Sequence, residues 1–378
     1  MIVGFFHDHN FIVSSGKVYT TGTLDSNYWN RYLTHDIDEL IVCARRIDSE
    51  CNNVLPLSSR DKVTFNFSPN LSRISSLIFD KHNDVVIEVV KKVDVVICRL
   101  PSEIGFMAVK EAKKLGKKVI CEVVACPYDA LSYHGNLLAK LYAHAIKFRM
   151  KKWVNNCDGA LYVTKEELQN RYPCNGFISN ASNVEIETIR SESVEYRKER
   201  FIQRRDSGTL KFGIIGTVKN KTKGVDIAIN AIEPAYGSLH VIGSGEPSNY
   251  IELAKRRKLR FRHDGFISDK KKVLDWLSDI DVYLQPSFQE GLPRATIEAM
   301  SVGCPVLSSD AGGLRELVRS EYVHERGDVV KFKNDIDTII KNYDLELDTK
   351  RSLTIASNYL TSILGRRRYD FYGKFISK

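Results

Sequence analysis

The stretch Asp281–Leu307, DVYLQPSFQEGLPRATIEAMSVGCPVL, decides the fold of the second half of the chain. Its apolar start predicts a strand that ends near Gln285. Pro293 suits the first position of a helix, because its missing N–H has no helical partner there in any case. We expect this helix to run to about Val302 and to stop at Gly303. A strand, a turn, a helix and a new strand make up the repeating unit of a parallel sheet.

The same alternation of short β-branched runs and longer amphipathic segments extends along the whole chain. It predicts an α/β protein with two doubly wound parallel sheets covered on both faces. The charged segment SVEYRKERFIQRRDSGT lacks a strand pattern and ends in Ser-Gly, which favours a connection between domains. We therefore predict a first domain over 1–190, a linker over 191–208, a second domain over 209–355 and a C-terminal helix over 356–378 that packs back on the first domain.

The composition is that of an ordinary globular protein, with 378 residues, of which 43% are hydrophobic and 27% charged. Two domains of this size need no disulfides, and the eight cysteines are scattered without C-x-x-C pairs. This pattern predicts reduced thiols. The N-terminus lacks the features of a signal peptide, and no uncharged run reaches about 18 residues. We expect a cytoplasmic protein.

The net charge of +9 and the pI near 9.0 are compatible with nucleic acid, an anionic membrane surface or small anionic ligands as partners. The densest basic segment is AKLYAHAIKFRMKKW, residues 139–153, in which lysines and an arginine alternate with aromatic and aliphatic residues. A basic helix with aromatic residues is typical of a peripheral contact with the inner face of a membrane. A solvated helix face packed on a core explains the same pattern, and the sequence leaves both open.

Two carboxylates lie eight positions apart around the Gly-Leu-Pro turn. Glu290 stays outside the helix, beside the backbone N–H groups of Gly291 and Leu292, whereas Glu298 lies within it. Free N–H groups and the positive end of a helix dipole favour an anion such as a diphosphate. A carboxylate accepts hydrogen bonds from both hydroxyls of a vicinal diol. The pair can thus hold the sugar and the ribose of a nucleotide sugar, or it can be two exposed glutamates at a favourable helix start.

The segment Pro286–Val318 resembles the signature of retaining glycosyltransferase family 4, including its E-x7-E pair. Upstream, FGIIGTVKNKTKGVDIAINAI and LHVIGSGE are similar to the phosphate-binding strand, loop and helix of that family, and FRHDGFISDKKKVLDWLSDIDVYLQPS is similar to its nucleobase region. The resemblance covers most of 150–320 and is weak before residue 120. It implies the GT-B fold, two Rossmann-like domains facing a central cleft. It also implies transfer of a sugar, with retention, from a nucleoside-diphosphate sugar to a glycan acceptor in bacterial surface polysaccharide assembly, such as O-antigen or capsule.

The resemblance also implies roles for individual residues. Glu290 would contact the donor sugar, and Lys223 would stabilise the charge that grows on the leaving diphosphate; these two are the predicted catalytic residues. The predicted donor-binding residues are Gly216, Thr217, Lys219, Phe266, Gly291, Leu292, Pro293 and Glu298. Family members often have an arginine where this chain has Thr217, so Lys219, Lys221 or the Thr217 hydroxyl is expected to replace it.

The acceptor side is less distinct in the sequence. His7, His9 and Gly16 follow the first predicted strand and are expected to lie in a loop. Asp129 and His134 follow the strand KKVICEVV and are candidates to contact an acceptor hydroxyl.

The sequence predicts no cofactor and no metal. The motif Asp-Ile-Asp, a possible metal ligand pair, occurs at 36–38, 279–281 and 335–337, and three copies in unlike contexts favour chance. Alternatives to a glycosyltransferase are a nucleotide-sugar epimerase or a glycan phosphorylase on the same fold, although nothing indicates a pyridoxal-phosphate lysine. A basic nucleic-acid-binding protein explains the charge but not the arrangement of the two glutamates, so we expect no nucleic acid partner.

Overall fold

The computed structural model describes residues 1–48, 55–69, 84–132, 137–190, 194–342 and 344–376. The chain forms two compact units. The first consists of Met1–Ala181 and Gly365–Lys378, and the second of Ser182–Leu364. The interval 191–208, expected to be a linker, contains the helix Val194–Asp206, whose Phe201 is buried in the core of the second unit.

The first unit is built on a parallel sheet with one short hairpin. Its strands follow the order β4-β3-β1-β5-β6-β7-β8, and β2 pairs antiparallel with the end of β1. Apart from the hairpin, this is the strand order of a doubly wound nucleotide-binding sheet. The strands are β1 Ile2–Ser14, β2 Lys17–Tyr19, β3 Glu39–Asp48, β4 Val63–Phe67, β5 Val95–Leu100, β6 Lys118–Val123, β7 Gly159–Tyr162 and β8 Phe177–Asn180.

Helices of the first unit follow the strands along the chain. They are α1 Asn30–Leu33, α2 Asp84–Lys92, α3 Glu103–Lys114, α4 Pro127–Ser132, α5 Leu137–Asn155 and α6 Glu167–Arg171. The core between the sheet and these helices is mainly aliphatic, with Val86, Val109 and Met150 fully buried, and it also contains Phe6 and Tyr162.

The second unit repeats the architecture with a fully parallel sheet in the order β11-β10-β9-β12-β13-β14. Its strands are β9 Leu210–Ile215, β10 Gly237–Ile242, β11 Arg260–His263, β12 Val282–Gln285, β13 Val306–Ser309 and β14 Val323–His324. Its helices are α7 Val194–Asp206, α8 Val225–Ala231, α9 Ser248–Arg256, α10 Lys270–Asp279, α11 Arg294–Ser301, α12 Leu314–Leu317, α13 Val329–Asn342 and α14 Leu345–Ser357, with short 3₁₀ turns at Lys221–Lys223 and Ser320–Tyr322. The predicted α/β class with two doubly wound sheets is confirmed.

The last helix, α15 Thr361–Ile376, joins the first unit from Gly365 onward. It packs there through buried side chains such as Phe371 and Ile376, and it also contacts a buried charge. Glu122 on β6 accepts hydrogen bonds from the hydroxyls of Tyr32 and Tyr372, each 2.5 Å long, and from the guanidinium of Arg99 at 2.8 Å. Burial alone raises the pKa of Glu122, but the charges of Arg99 and Arg31 outweigh it and lower the pKa. The carboxylate therefore stays ionised in the core, with Tyr372 as its contact to the C-terminal helix.

Candidate functional site

The candidate site lies between β9 and β12, where the strand order of the second sheet changes direction. Strands β9 and β12 are neighbours, paired through Phe212 with Val282 and Gly213 with Tyr283. The chain leads from β9 toward one edge of the sheet and from β12 toward the opposite edge. A crevice therefore opens beyond the carboxyl ends of these two strands, where ligands of doubly wound sheets bind. Loops 216–224 and 286–293 both begin there.

Hydrogen bonds attach loop 216–224 to the end of β10 and to Ser244, which follows that strand. The N–H of Gly216 donates to the carbonyl of Ile242, and the hydroxyl of Thr217 donates to the carbonyl of Ser244, both at 2.9 Å. The same hydroxyl accepts the N–H of Lys219 at 3.2 Å. Thr217, which stands where the resemblance leads one to expect an arginine, thus holds the loop in shape.

Gly224 allows the two loops to approach each other. Its φ of 64° lies in the left-handed region, and a Cβ at this position would lie 2.0 Å from the carbonyl oxygen of Pro286. Only glycine meets both conditions.

Loop 286–293 is held from two sides by backbone hydrogen bonds. The N–H of Phe288 donates to the carbonyl of Thr222 at 2.9 Å, and the N–H of Gly313 donates to the carbonyl of Gly291 at 2.8 Å. The loop is therefore fixed both to the turn that carries Lys223 and to the segment after β13.

The two loops bring the predicted catalytic residues into direct contact. Nζ of Lys223 lies 2.5 Å from Oε1 of Glu290, and Nε2 of Gln285 donates to the same oxygen at 2.8 Å. The side chains of Lys223 and Glu290 are 24% and 9% exposed. In the part of the chain that the structure describes, Oε2 of Glu290 has no hydrogen-bond partner. One carboxylate oxygen is thus occupied by two donors, and the other is open.

The turn before α11 differs by one residue from the prediction. Pro293 is the N-cap of the helix in an extended conformation, and Arg294 is its first residue. The helix cannot begin at Pro293 because the ψ angle of that residue is 118°, which is extended and not helical. The predicted end of the strand at Gln285 is confirmed, and so is the stop at Gly303, whose φ is 71°. Among the described residues, no acceptor hydrogen-bonds the N–H of Gly291 or Leu292, so both amides are available to an anion.

Glu298 lies in different surroundings. It lines a cavity of about 150 Å³ together with Glu185, Thr188 and Lys270. Its nearest cation is Arg294, 3.8 Å away. Burial raises the pKa of Glu298, and the charges of Arg294 and Lys270 offset this only in part. The arrangement suits a carboxylate that accepts hydrogen bonds from hydroxyl groups.

The remaining donor-side residues are more exposed. Lys219 and Lys221 line a cavity of about 510 Å³ with Asn220 and Arg256, and neither Lys223 nor Glu290 belongs to that lining. Phe266 is 73% exposed and follows Gly265, whose carbonyl accepts the N–H of Gly243 at 2.8 Å.

On the acceptor side, the structure changes the interpretation of the first segment. His7 and His9 were expected to lie in a loop, but they lie within β1. This strand continues to Ser14 because it pairs with β3 again beyond a register shift after Phe6. Gly16, with a φ of 73°, forms the hairpin turn that follows. His7 has a buried Nδ1 without a described partner, and burial with the charge of Arg99 lowers the pKa of His7 to about 3.

Asp129 pairs with a neighbouring arginine: its Oδ2 accepts a hydrogen bond from Arg171 at 2.8 Å. Its contact with an acceptor hydroxyl stays a prediction. His134 lies outside the described residues.

The Asp-Ile-Asp motif closest in sequence to Glu290 lies at the amino ends of the strands, opposite the end of the sheet where Glu290 lies. Asp281 accepts the N–H of Lys211 at the start of β9 and pairs with Arg204 at 3.1 Å, and Asp279 pairs with the same arginine at 2.7 Å. In the described ranges, no group of three or more His, Cys, Asp or Glu side chains is arranged to hold a metal.

The chain is similar to proteins of known family and fold. Residues 209–342 match the family Glycosyl transferases group 1. Protein CapJ of Staphylococcus aureus is 32% identical over 369 residues, which cover 93% of this chain and 90% of CapJ. The structure of Anabaena HepE in complex with UDP aligns with a TM-score of 0.64 and 16% identity over 99% of this chain and 100% of that chain. The lipopolysaccharide outer core galactosyltransferase WaaB aligns with a TM-score of 0.63 and 17% identity over 99% of each chain.

The two Rossmann-like units and the likeness to these structures show the GT-B fold. The chain belongs to the glycosyl transferases group 1 family, and over nearly its whole length it is a relative of protein CapJ.

Gly216→Ala should displace Lys223, because a Cβ at Gly216 would lie 2.5 Å from Cγ of that lysine. With the ammonium moved, we expect inorganic diphosphate to bind about tenfold more weakly, the effect of losing one hydrogen bond to a charged group. Isothermal titration with inorganic diphosphate measures this. Gly365→Ala, where a Cβ would meet no atom within 4 Å, is the control. Equal diphosphate affinity in both variants would contradict the expectation.

Proposed function

We propose that the protein is a retaining glycosyltransferase of family 4 type, which transfers a sugar from a nucleoside-diphosphate sugar to a glycan acceptor. The observation that carries the proposal is the contact of Lys223 with Glu290 at the carboxyl ends of β9 and β12. Beside it lie the two amides of Gly291 and Leu292 that have no acceptor among the described residues. A cation, free amides and a carboxylate with one open oxygen together match a diphosphate joined to a polyol.

Lys223 is the proposed contact for the donor diphosphate. Its ammonium pairs with Glu290 at 2.5 Å. Diphosphate oxygens carry more charge than a single carboxylate, so they compete for the same ammonium. As the glycosidic bond breaks, charge grows on the leaving diphosphate, and a cation already in place stabilises that change.

Glu290 is proposed to hold the donor sugar rather than to attack it. Its Oε1 is occupied by Lys223 and Gln285, which leaves Oε2 to accept hydrogen bonds from sugar hydroxyls. In the proposed step, the bond from the anomeric carbon to the diphosphate breaks while the acceptor oxygen bonds to the same face of that carbon. The acceptor proton passes to the departing diphosphate, so no protein base is required. Glu298, in the second turn of α11, is proposed to hold the ribose.

Glu290→Gln should lower the turnover of transfer by about a hundredfold or more, because the sugar loses the charged acceptor that orients it. Binding of free nucleoside diphosphate should stay within about twofold, since Lys223 remains in place. Lys223→Ala is the contrasting variant: it should weaken nucleoside diphosphate binding and slow turnover together. Steady-state kinetics and titration separate the two patterns. Turnover above a tenth of the wild-type value in Glu290→Gln would remove Glu290 from the mechanism.

We further propose that transfer needs no metal ion. Lys223 and the amides of Gly291 and Leu292 already offer positive charge to the diphosphate. The Asp279–Asp281 pair faces Arg204 at the opposite end of the sheet.

Activity in excess chelator should therefore equal the activity without it. Transfer assays with EDTA, and with added magnesium or manganese, measure this. Loss of activity that either ion restores would overturn metal independence.

The acceptor is proposed to be a glycan intermediate of a bacterial surface polysaccharide or lipopolysaccharide. Similarity to the O-antigen biosynthesis glycosyltransferase WclY of Escherichia coli, 32% identical over 133 residues, and the structural likeness to a lipopolysaccharide galactosyltransferase support this assignment. A lipid-linked acceptor would bring the protein to a membrane surface.

Helix α5 offers such a surface. Lys147, Lys151 and Lys152 are exposed, and Phe148 between them is 71% exposed. Arg149 of the same basic segment does not contribute, because it turns inward to form two hydrogen bonds with Glu103 at 2.8 and 2.9 Å. In the described part of the chain, no helix combines the length and apolarity that crossing a bilayer requires. We propose peripheral contact through this face of α5.

Replacing Lys147, Lys151 and Lys152 by Gln should release the protein from anionic vesicles. Each lysine near such a surface contributes about 1 kcal/mol, so the loss is about a hundredfold in vesicle affinity, and salt should weaken wild-type binding in the same way. Co-sedimentation with phosphatidylglycerol vesicles at low and high salt measures it.

The control changes the same charge on another surface of the first unit, at the exposed residues Lys91, Lys92 and Lys114. If both triple variants bind alike, or if wild-type protein ignores anionic vesicles at low salt, the proposed membrane surface is wrong.

A further inference from the structure

A chain of hydrogen bonds connects the end of β9 with Glu290. The N–H of Ile215 donates to the hydroxyl of Tyr283 at 3.3 Å, and that hydroxyl donates to Oε1 of Gln285 at 2.7 Å. Nε2 of Gln285 then donates to Oε1 of Glu290 at 2.8 Å. A backbone N–H only donates and an ionised carboxylate only accepts, so every bond in the chain has a defined direction.

The middle of this chain is closed to water. Tyr283 is fully buried and Gln285 is 1% exposed, and their side chains share one face of β12 because they lie two residues apart in a strand. Burial raises the pKa of Tyr283, and the negative charge of Glu290 raises it further against the opposing effect of the Ile215 N–H. The hydroxyl therefore remains a donor, and it sets which end of the Gln285 amide faces Glu290.

Gln285 and Lys223 share Oε1 of Glu290, but only one of them is expected to stay there. When a diphosphate binds, it draws the ammonium of Lys223 away from the carboxylate. The side-chain amide of Gln285 has no such competitor. Its Oε1 accepts a hydrogen bond from the Tyr283 hydroxyl, and its Nε2 donates to the hydroxyl of Ser287, both at 2.7 Å. This amide is the protein group that keeps Oε1 of Glu290 in place while Oε2 receives the sugar.

We infer that Gln285 is a positioning residue for sugar transfer: it orients the Glu290 carboxylate toward the donor sugar, and Tyr283 orients Gln285. The inference rests on the proposed function of Glu290. It concerns geometry at the reacting centre, where displacement by about 1 Å can cost a hundredfold in rate. Gln285 contacts no substrate itself.

The first test removes the N–H donor with Gln285→Leu. The turnover number should fall about tenfold to a hundredfold, while the affinity for free nucleoside diphosphate stays within about twofold. Ser308→Ala is the matched control, because Ser308 is the register partner of Gln285 on β13 and its buried hydroxyl has no described partner. The control should keep wild-type turnover.

The second test uses Gln285→Glu, which keeps the size but places a carboxyl against Glu290. Like charges in contact raise the pKa of one partner, and a shared proton restores the hydrogen bond. Turnover relative to wild type should therefore be low at pH 8 and should rise about tenfold toward pH 5.5. A purely structural role of Gln285 predicts no such relative rise, and that result would overturn the inference.

The third test combines Gln285→Leu with Glu290→Gln in single-turnover assays. Because Gln285 acts through Glu290, the double variant should be no slower than Glu290→Gln alone. Multiplied effects would overturn the inference and leave Gln285 a stabilising core residue. If Gln285→Leu fails to fold, Tyr283→Phe, which removes only the hydroxyl that orients Gln285, replaces it and should lower turnover at least threefold, roughly the effect of a weakly misplaced group.

The outcomes separate this inference from the proposed function. Wild-type turnover in Gln285→Leu together with loss of activity in Glu290→Gln overturns the role of Gln285 alone. Wild-type turnover in Glu290→Gln overturns the proposed function, and the role of Gln285 falls with it.

Discussion

The ion pair between Lys223 and Glu290 is the interaction on which the site depends. The two residues are 67 positions apart, and they meet because β9 and β12 are neighbours and because two glycines let their loops close. Gly224 adopts a left-handed conformation against the Pro286 carbonyl, and Gly216 leaves room for the stem of Lys223. A side chain at either glycine would move the lysine or the loop that faces it.

The two parallel sheets share a strand order, but they differ at the place where that order changes direction. In the first unit, the carboxylate of Asp8 accepts the N–H groups of Glu103 and Ile104 at 2.7 and 3.0 Å, at the start of α3. A side chain of the protein thus fills the place where an anion would bind to that helix. In the second unit, the amides of Gly291 and Leu292 have no acceptor among the described residues. This difference is the reason for placing the proposed diphosphate contact in the second unit rather than in the first.

Much of the site followed from local sequence. The turn that carries Glu290 and the glycine stop of α11 are short-range features, set by the conformations that proline and glycine allow. The position of Pro293 was misjudged by one residue, since an N-cap and a first helical residue differ only in backbone angles. Gln285 was missed as a functional candidate. The one indication was an amide at the end of an otherwise apolar strand, and its meaning depended on which carboxylate it would face.

The sequence by itself determined the alternation of strands and helices, the two parallel sheets and the residue types at the loop ends, because hydrophobic periodicity and backbone preferences act over a few residues. Only the tertiary structure decided the partners. In that structure, Asp129 is hydrogen-bonded to Arg171, and Arg149 is hydrogen-bonded to Glu103. The tertiary structure also joins Tyr372 to Glu122 across 250 positions. Ion pairs and hydrogen bonds form between groups that the sheet order brings together, and that proximity is a property of the fold and not of any local pattern.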